Sequence, residues 1–250
     1  MSSIELFQNK TDCCGCSACY NICPRKAISI QEDEYGYVYP VIDQDKCVGC
    51  GLCRKVCHYQ ADKELRTPIK AYAAAGKKEE FLKKAASGGM FSLVADKILE
   101  EGGVVFGVAM EYHNNTLIPK HIAVESKEEL FKLQGSKYVQ SFIGNTYAEA
   151  KKYLADGRKV LFSGTPCQIE GLKGYLGREY ENLYTIDIIC HGVPNAKWFQ
   201  DYIKVFETKL QGSIYSYNFR DKSRGQRMNA RIEDYDKNGN AKVIYRDGHL

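Results

Sequence analysis

Eight of the chain's eleven cysteines fall into two runs of one spacing. Cys13, Cys16, Cys19 and Cys23 read C-x2-C-x2-C-x3-C with Pro24 next, and Cys47, Cys50, Cys53 and Cys57 repeat the order 34 residues later. Cysteine this dense serves either disulfide staples in an oxidising compartment or soft metal ions in a reducing one. The odd total and the bunching, with only Cys167 and Cys190 beyond Cys57, count against a disulfide framework. Tetrahedral zinc takes paired C-x2-C and gains nothing from a third cysteine at that spacing and a fourth after three more residues. A cuboidal 4Fe–4S cluster uses all four. Three neighbouring thiolates wrap one side in a tight loop, with backbone N–H groups turned toward the sulfides, and the fourth thiolate arrives from elsewhere.

The doubled run is the signature of bacterial two-cluster ferredoxins, in which the fourth cysteine of each run ligates the other cluster. On that pattern Cys13, Cys16, Cys19 and Cys57 hold one 4Fe–4S cluster, and Cys47, Cys50, Cys53 and Cys23 hold the second. Cys14 is the extra cysteine and reads as a non-ligand, because Cys13 keeps the register. His58 stands where the first run has Pro24 and reads as a solvent-facing loop residue, four thiolates being available without it. Residues 27–30 and 37–41 read as short strands joined by a polar turn at 32–36.

The elements change character after this stretch. Residues 60–68 are polar and end in a proline, which reads as a linker. A domain of residues 1–66 and a second of residues 67–250 are therefore expected. In the second, helical periodicity covers 77–86, 90–101, 127–133, 147–155, 168–176 and 195–210. Strands are expected at 104–110, 118–124, 159–163 and 184–189. Three more follow at 214–219, 231–235 and 242–245, with a hairpin turn on Lys237-Asn238-Gly239-Asn240. The fold class read from this order is α+β: a small ferredoxin-like N-terminal domain, then an α/β domain with a β-rich C-terminal part.

Composition narrows the function. The formal charge of +4 is too small to argue for nucleic acid. The longest apolar run, near residues 104–110, falls far short of the roughly 20 residues that span a bilayer. Met1-Ser2-Ser3-Ile4-Glu5 lacks the basic-then-apolar order of a secretory signal. A cytoplasmic protein with no membrane span is expected, since iron and free thiolates persist best under reduction.

Three glycine-containing loops lie at strand or helix ends. Ala86-Ser87-Gly88-Gly89 precedes a helix, whose N-terminus presents free N–H groups suited to a phosphate, or else is an ordinary serine cap. Gln134-Gly135-Ser136-Lys137-Tyr138 places a cation, a hydroxyl and an aromatic face together. Ser163-Gly164-Thr165-Pro166-Cys167-Gln168 marks a strand-to-helix crossing, where α/β proteins place ligands. Cys167 at a helix N-terminus, and Cys190 followed by His191 at another strand end, are candidate catalytic residues; the plain alternative for each is a small buried residue. Arg220, Lys222, Arg224, Arg227 and Arg231 face only Asp221, which makes a solvated face or an anion site.

Taken in order, Ala86-Ser87-Gly88-Gly89, Gly135-Ser136-Lys137-Tyr138-Val139-Gln140-Ser141, Gly164-Thr165-Pro166-Cys167-Gln168, Cys190-His191-Gly192-Val193-Pro194 and Phe219-Arg220-Asp221-Lys222 resemble the coenzyme F420 hydrogenase/dehydrogenase beta-subunit family. Members often carry an N-terminal two-cluster ferredoxin domain and include ferredoxin-dependent chlorophyll-pathway reductases. The resemblance implies an FAD-containing iron–sulfur reductase that exchanges a hydride with an organic partner such as the deazaflavin coenzyme. It implies that Ser87, Gly88, Gly89, Ser136, Lys137 and Tyr138 hold FAD phosphate and ribose groups. It places Thr165, Pro166 and Cys167 along the flavin or a cluster, and offers Cys190 as a ligand of a further cluster. The implied partners are an electron-donor or acceptor protein, either a ferredoxin or a hydrogenase/dehydrogenase subunit, and a small-molecule redox substrate. Family members commonly continue with more cysteines, and a tryptophan often stands where this chain has Gln226, so the second domain reads as shortened at its C-terminus. Two other functions compete. One is a plain electron carrier or docking subunit without flavin chemistry, and the other a non-redox enzyme using Cys167 or Cys190 with His191.

Overall fold

The computed structural model describes residues 5–60, 67–225, 229–236 and 238–247. Much of the expected linker, together with Gln226, Arg227, Lys237 of the expected hairpin turn and the first four residues, lies outside them. The elements run α1 (Ala18–Ile22), β1 (Ile28–Glu32), β2 (Val38–Ile42), α2 (Leu52–Lys55), α3 (Glu79–Lys84), α4 (Met90–Glu100), β3 (Val104–His113) and β4 (Thr116–Val124). Then come α5 (Thr146–Ala155), β5 (Val160–Gly164), α6 (Pro166–Leu176), β6 (Leu183–Asp187), α7 (Ala196–Leu210), β7 (Ser213–Asn218), β8 (Asn229–Tyr235) and β9 (Ala241–Asp247). The fold is α+β. Packing gathers the elements into two compact units that cut across a division at residue 66: one takes the chain up to Ala71 with Ile143–His191, the other takes Tyr72–Phe142 with Gly192 onward.

In the first unit β1 and β2 pair antiparallel, with Ile28 opposite Ile42. Asp33 Oδ1 accepts the N–H groups of Tyr35 and Tyr37, each at 3.0 Å, and so closes the turn. Leu6, Ile28 and Cys53 form a small core, with Phe7, Tyr20 and Ile42 packed on it. β5 and β6 run parallel, Val160 opposite Leu183, with α6 as the crossover between them. The start of α6 is set by a capping box, in which the Thr165 N–H donates to Gln168 Oε1 at 3.0 Å, and by Pro166 at the first helical position. The helix thus begins two residues before the start that periodicity alone gives.

Tyr147 on α5 is fully buried and ties this unit together. Its hydroxyl lies 2.9 Å from the Cys16 carbonyl and 2.7 Å from the Gln168 carbonyl, donating to one at a time. Removing the hydroxyl takes this donor from both carbonyls while conserving shape. Tyr147→Phe is expected to cost about 1–2 kcal/mol, read as a lower urea midpoint in far-UV circular dichroism; an unchanged midpoint would show that the bridge does not hold the unit.

In the second unit β3 and β4 form one long hairpin, from Val105 opposite Val124 to His113 opposite Thr116. Asn114 and Asn115 turn it with φ of 48° and 58°, the paired positive values of a tight hairpin turn. β7, β8 and β9 make an antiparallel meander. α7 is capped by Asn195, whose Oδ1 accepts the Trp198 N–H at 2.8 Å, and buries Phe199 and Ile203 one turn apart. These two join Leu117, Ile214, Phe219 and Ile232 in the core. The helix expected over 127–133 is reduced to a 3-10 turn at Leu130–Lys132.

Candidate functional site

The two cysteine runs adopt one backbone. Gly15 and Gly49 have φ of 67° and 68°, and Ser17 and Gly51 have φ of 61° and 73°, immediately before α1 and α2. Ser17 holds the left-handed conformation despite its Cβ, which a loop tightly determined on both sides can impose. This curl turns backbone N–H groups onto sulfur: Gly15 toward Cys13, Ala18 toward Cys16, Tyr20 toward Cys19 and Arg54 toward Cys53. The Ala27 N–H reaches Cys23 Sγ at 3.3 Å. Donors of this kind favour the thiolate form.

Two hollows result. One is lined by Cys23, Cys47, Cys50 and Cys53. The other is lined by Cys13, Cys16, Cys19 and Cys57, with Cys14 and His58 also on its wall. Each set takes three cysteines from one run and its last from the other run. Burial pushes the Cys13 thiol up to about 11 and Cys19 further still, and their cysteine neighbours add like-charge repulsion. Four sulfurs crowded in this way can all ionise only with cations among them, which is what a soft metal core supplies.

At the rim of the second hollow lies a cluster that spacing did not reveal. Cys14 hydrogen-bonds to both Cys16 and Cys167, and its Sγ lies 3.8 Å from His58 Nε2. Thr165 Oγ1 sits 3.1 Å from Cys167 Sγ. These hydrogen bonds and burial push the Cys14 thiol up. Its hydrogen bonds hold Cys16 down at about 5 and Cys167 at about 6, with Thr165 assisting at Cys167. His58 is therefore not solvent-facing. It is half-buried against the Tyr59 ring, 4.5 Å between centroids, and its Nδ1 is sealed from solvent with no partner. The imidazole beside Cys167 is this one, while Cys190 and His191 are exposed beyond the end of β6. The sequence held two signals, the doubled Cys13-Cys14 and a histidine in the proline position.

Within the second unit three of the motif segments converge. Lys222 Nζ donates to the Leu82 carbonyl at 3.1 Å and to the Ser87 carbonyl at 2.9 Å. Gln134 Nε2 donates to Ser92 Oγ at 3.1 Å, and Tyr138 meets Phe219 edge-on at 5.8 Å. Gly88 leaves no room for a side chain, since a Cβ there would lie 2.6 Å from the Ala74 carbonyl oxygen. Gly89 caps α4 without a side-chain bond, leaving first-turn N–H groups available to an anion. Lys137 Nζ donates to the Gln134 and Lys132 carbonyls, and desolvation lowers it to about 7. Thr165, Pro166 and Cys167 belong to the other unit, beside the cysteine loops.

Comparison with known proteins gives three family matches. A 4Fe-4S dicluster domain covers residues 12–61. The N-terminal and C-terminal domains of the coenzyme F420 hydrogenase/dehydrogenase beta subunit cover residues 71–145 and 157–249, together about two thirds of the chain. An uncharacterised protein of Methanocaldococcus jannaschii is 24% identical over 200 residues, 68% of this chain and 54% of that protein. The coenzyme F420-dependent sulfite reductase of the same organism is 23% identical over 191 residues, 73% of this chain and 28% of that protein. The chain thus spans about half the length of the first and little more than a quarter of the second. Pyruvate synthase subunit PorD of Thermotoga maritima is 43% identical over 53 residues, 21% of this chain and 50% of that one. A chain of the F420-reducing NiFe hydrogenase complex from Methanosarcina barkeri superposes with a TM-score of 0.42 at 20% identity, covering 68% of this chain and 58% of that one. Among the described residues no helix is long and apolar enough to cross a membrane.

Proposed function

The chain belongs to the coenzyme F420 hydrogenase/dehydrogenase beta-subunit family and carries a 4Fe-4S dicluster domain, and on that premise we propose that it is an iron–sulfur flavoprotein oxidoreductase or the electron-transfer subunit of one. Two 4Fe–4S clusters, when bound, would supply one-electron carriers, and an FAD would supply hydride exchange with an organic partner, the deazaflavin coenzyme or another small redox substrate. The observation that carries this reading is the pair of hollows, each walled by four cysteines drawn from both runs. Cys13, Cys16, Cys19 and Cys57 would hold one cluster, and Cys23, Cys47, Cys50 and Cys53 the other. The curled loops supply N–H donors to the ligand sulfurs, a lever by which a protein sets cluster potential.

A flavin, when bound, converts between the single electrons that clusters carry and the electron pairs that hydride chemistry needs. Ser87, Gly88 and Gly89 would present α4's first-turn N–H groups to its phosphates, and Ser136, Lys137 and Tyr138 would line the adjacent face. Lys222 is the clamp, because its ammonium fixes the loop at Ser87 from a segment 135 residues away. The partner protein is a ferredoxin or a hydrogenase/dehydrogenase subunit.

Anaerobically purified protein should contain about eight irons and one releasable flavin per chain. Lys222→Ala should weaken flavin retention about tenfold, the worth of a charge-assisted hydrogen bond, with iron unchanged. Iron without flavin in the wild-type protein would remove the FAD half and leave a second reading, an electron carrier or docking subunit. The likeness of the cysteine-rich segment to PorD favours that second reading.

A further inference from the structure

We propose that β6 is an interaction edge through which two copies of this chain pair, strand to strand and antiparallel, about Ile186. β6 pairs with β5 on one side and, among the described residues, with no strand on the other. The Ile188 N–H donates to the Gly164 carbonyl at 3.0 Å, and the Val160 N–H donates to the Asn182 carbonyl at 2.9 Å. Even-numbered residues of the strand therefore turn their backbone groups toward β5, and Thr185, Asp187 and Ile189 turn theirs outward. Leu183 also faces outward with its carbonyl, its N–H being taken by the Tyr180 carbonyl at 3.2 Å. Natural edge strands are blunted by lysine, proline or a bulge. Residues 183–189, Leu-Tyr-Thr-Ile-Asp-Ile-Ile, have neither lysine nor proline, and their register with β5 is unbroken. Instead Tyr184, Ile188 and Ile189 are 41%, 50% and 91% exposed.

The strand's own sequence identifies the occupant. Outward-facing residues exchange bonds only with outward-facing residues, so an antiparallel copy can centre on Thr185, Ile186 or Asp187. Centring on Asp187 sets that carboxylate against its own copy, and centring on Thr185 sets Ile189 against the partner's Glu181. Centring on Ile186 matches every position. Thr185 meets the partner's Asp187, hydroxyl to carboxylate, and Leu183 meets the partner's Ile189. On the other face Tyr184 meets the partner's Ile188, and Ile186 meets its own copy. The strand is thus its own complement, as a twofold interface requires. Two edges in contact bury less than a standard interface, so the dimer is weak and forms with concentration. The pairing does not depend on any cofactor.

The test is sedimentation velocity of the full chain over a concentration series, anaerobic and under reduction so that no disulfide through the exposed Cys190 contributes. A shift from monomer to dimer with rising concentration is expected. Ile188→Lys and Ile189→Lys change side chains that are already exposed, and each should raise the dimer dissociation constant about tenfold. Val205→Lys, at an apolar residue 51% exposed on α7, should leave it unchanged. Ile186→Cys checks the register, since its thiol would face its own copy across a non-hydrogen-bonded pair with Cα atoms about 4.5 Å apart. Mild oxidation should then give a covalent dimer that peptide mapping traces to the introduced thiol. A wild-type chain that stays monomeric at every concentration would overturn the pairing. So would a dimer indifferent to both lysines, or a lysine-sensitive dimer that never cross-links in Ile186→Cys.

Discussion

Cys50→Ala is expected to leave about half of the iron and half of the broad visible absorbance, because each three-cysteine run serves one cluster. Cys50 lines only the hollow formed with Cys23, Cys47 and Cys53. Its removal takes one thiolate from that set and none from Cys13, Cys16, Cys19 and Cys57. Cys14→Ala is the matched control, since it also deletes a thiol in a cysteine-rich loop but should keep both clusters. Iron and absorbance measured on anaerobically reconstituted protein distinguish the two. Equal loss in both variants would refute the division of ligands, and so would complete loss in Cys50→Ala with the secondary structure intact.

The grouping of the cysteines around two hollows was legible because it follows a local spacing rule, and the curl at Gly15, Ser17, Gly49 and Gly51 is its backbone counterpart. Strands and helices with strong periodicity were equally readable. Met90–Glu100 ends on a Gly102-Gly103 pair, where the Gly103 N–H reaches the Ile98 carbonyl at 2.8 Å. What failed were features set by contacts between distant segments. The triad Cys14, His58 and Cys167 has no local pattern, since 44 and 153 residues separate its members from Cys14. The grouping of Ile143–His191 with the cysteine loops depends on Tyr147 and on the glycines of α6, which leave no periodic trace. Residues 127–133 had helical patterning but too short a run to nucleate more than a 3-10 turn.

Those α6 glycines carry the second large effect. In a helix interior Gly→Ala ordinarily stabilises by about 1 kcal/mol, because alanine loses less backbone entropy. At Gly174 the sign should reverse. A Cβ there would lie 2.6 Å from the Val56 carbonyl oxygen, and that atom is backbone, so relief requires moving the chain. The moved residue adjoins Cys57, which lines the hollow together with Cys13, Cys16 and Cys19. Overpacking of this kind costs about 1–3 kcal/mol, more than the helix gains. Gly174→Ala should therefore lower stability and shed the cluster nearest Cys57, taking iron to about half, while Lys173→Ala on the same turn keeps its full iron. Gly171→Ala should also lower iron content, because a Cβ there would press on the buried Tyr147 Oη at 2.9 Å and on Cys16 Sγ at 3.1 Å. A Gly174→Ala protein that is more stable than wild type and fully loaded with iron would show that α6 does not press on the cysteine loop.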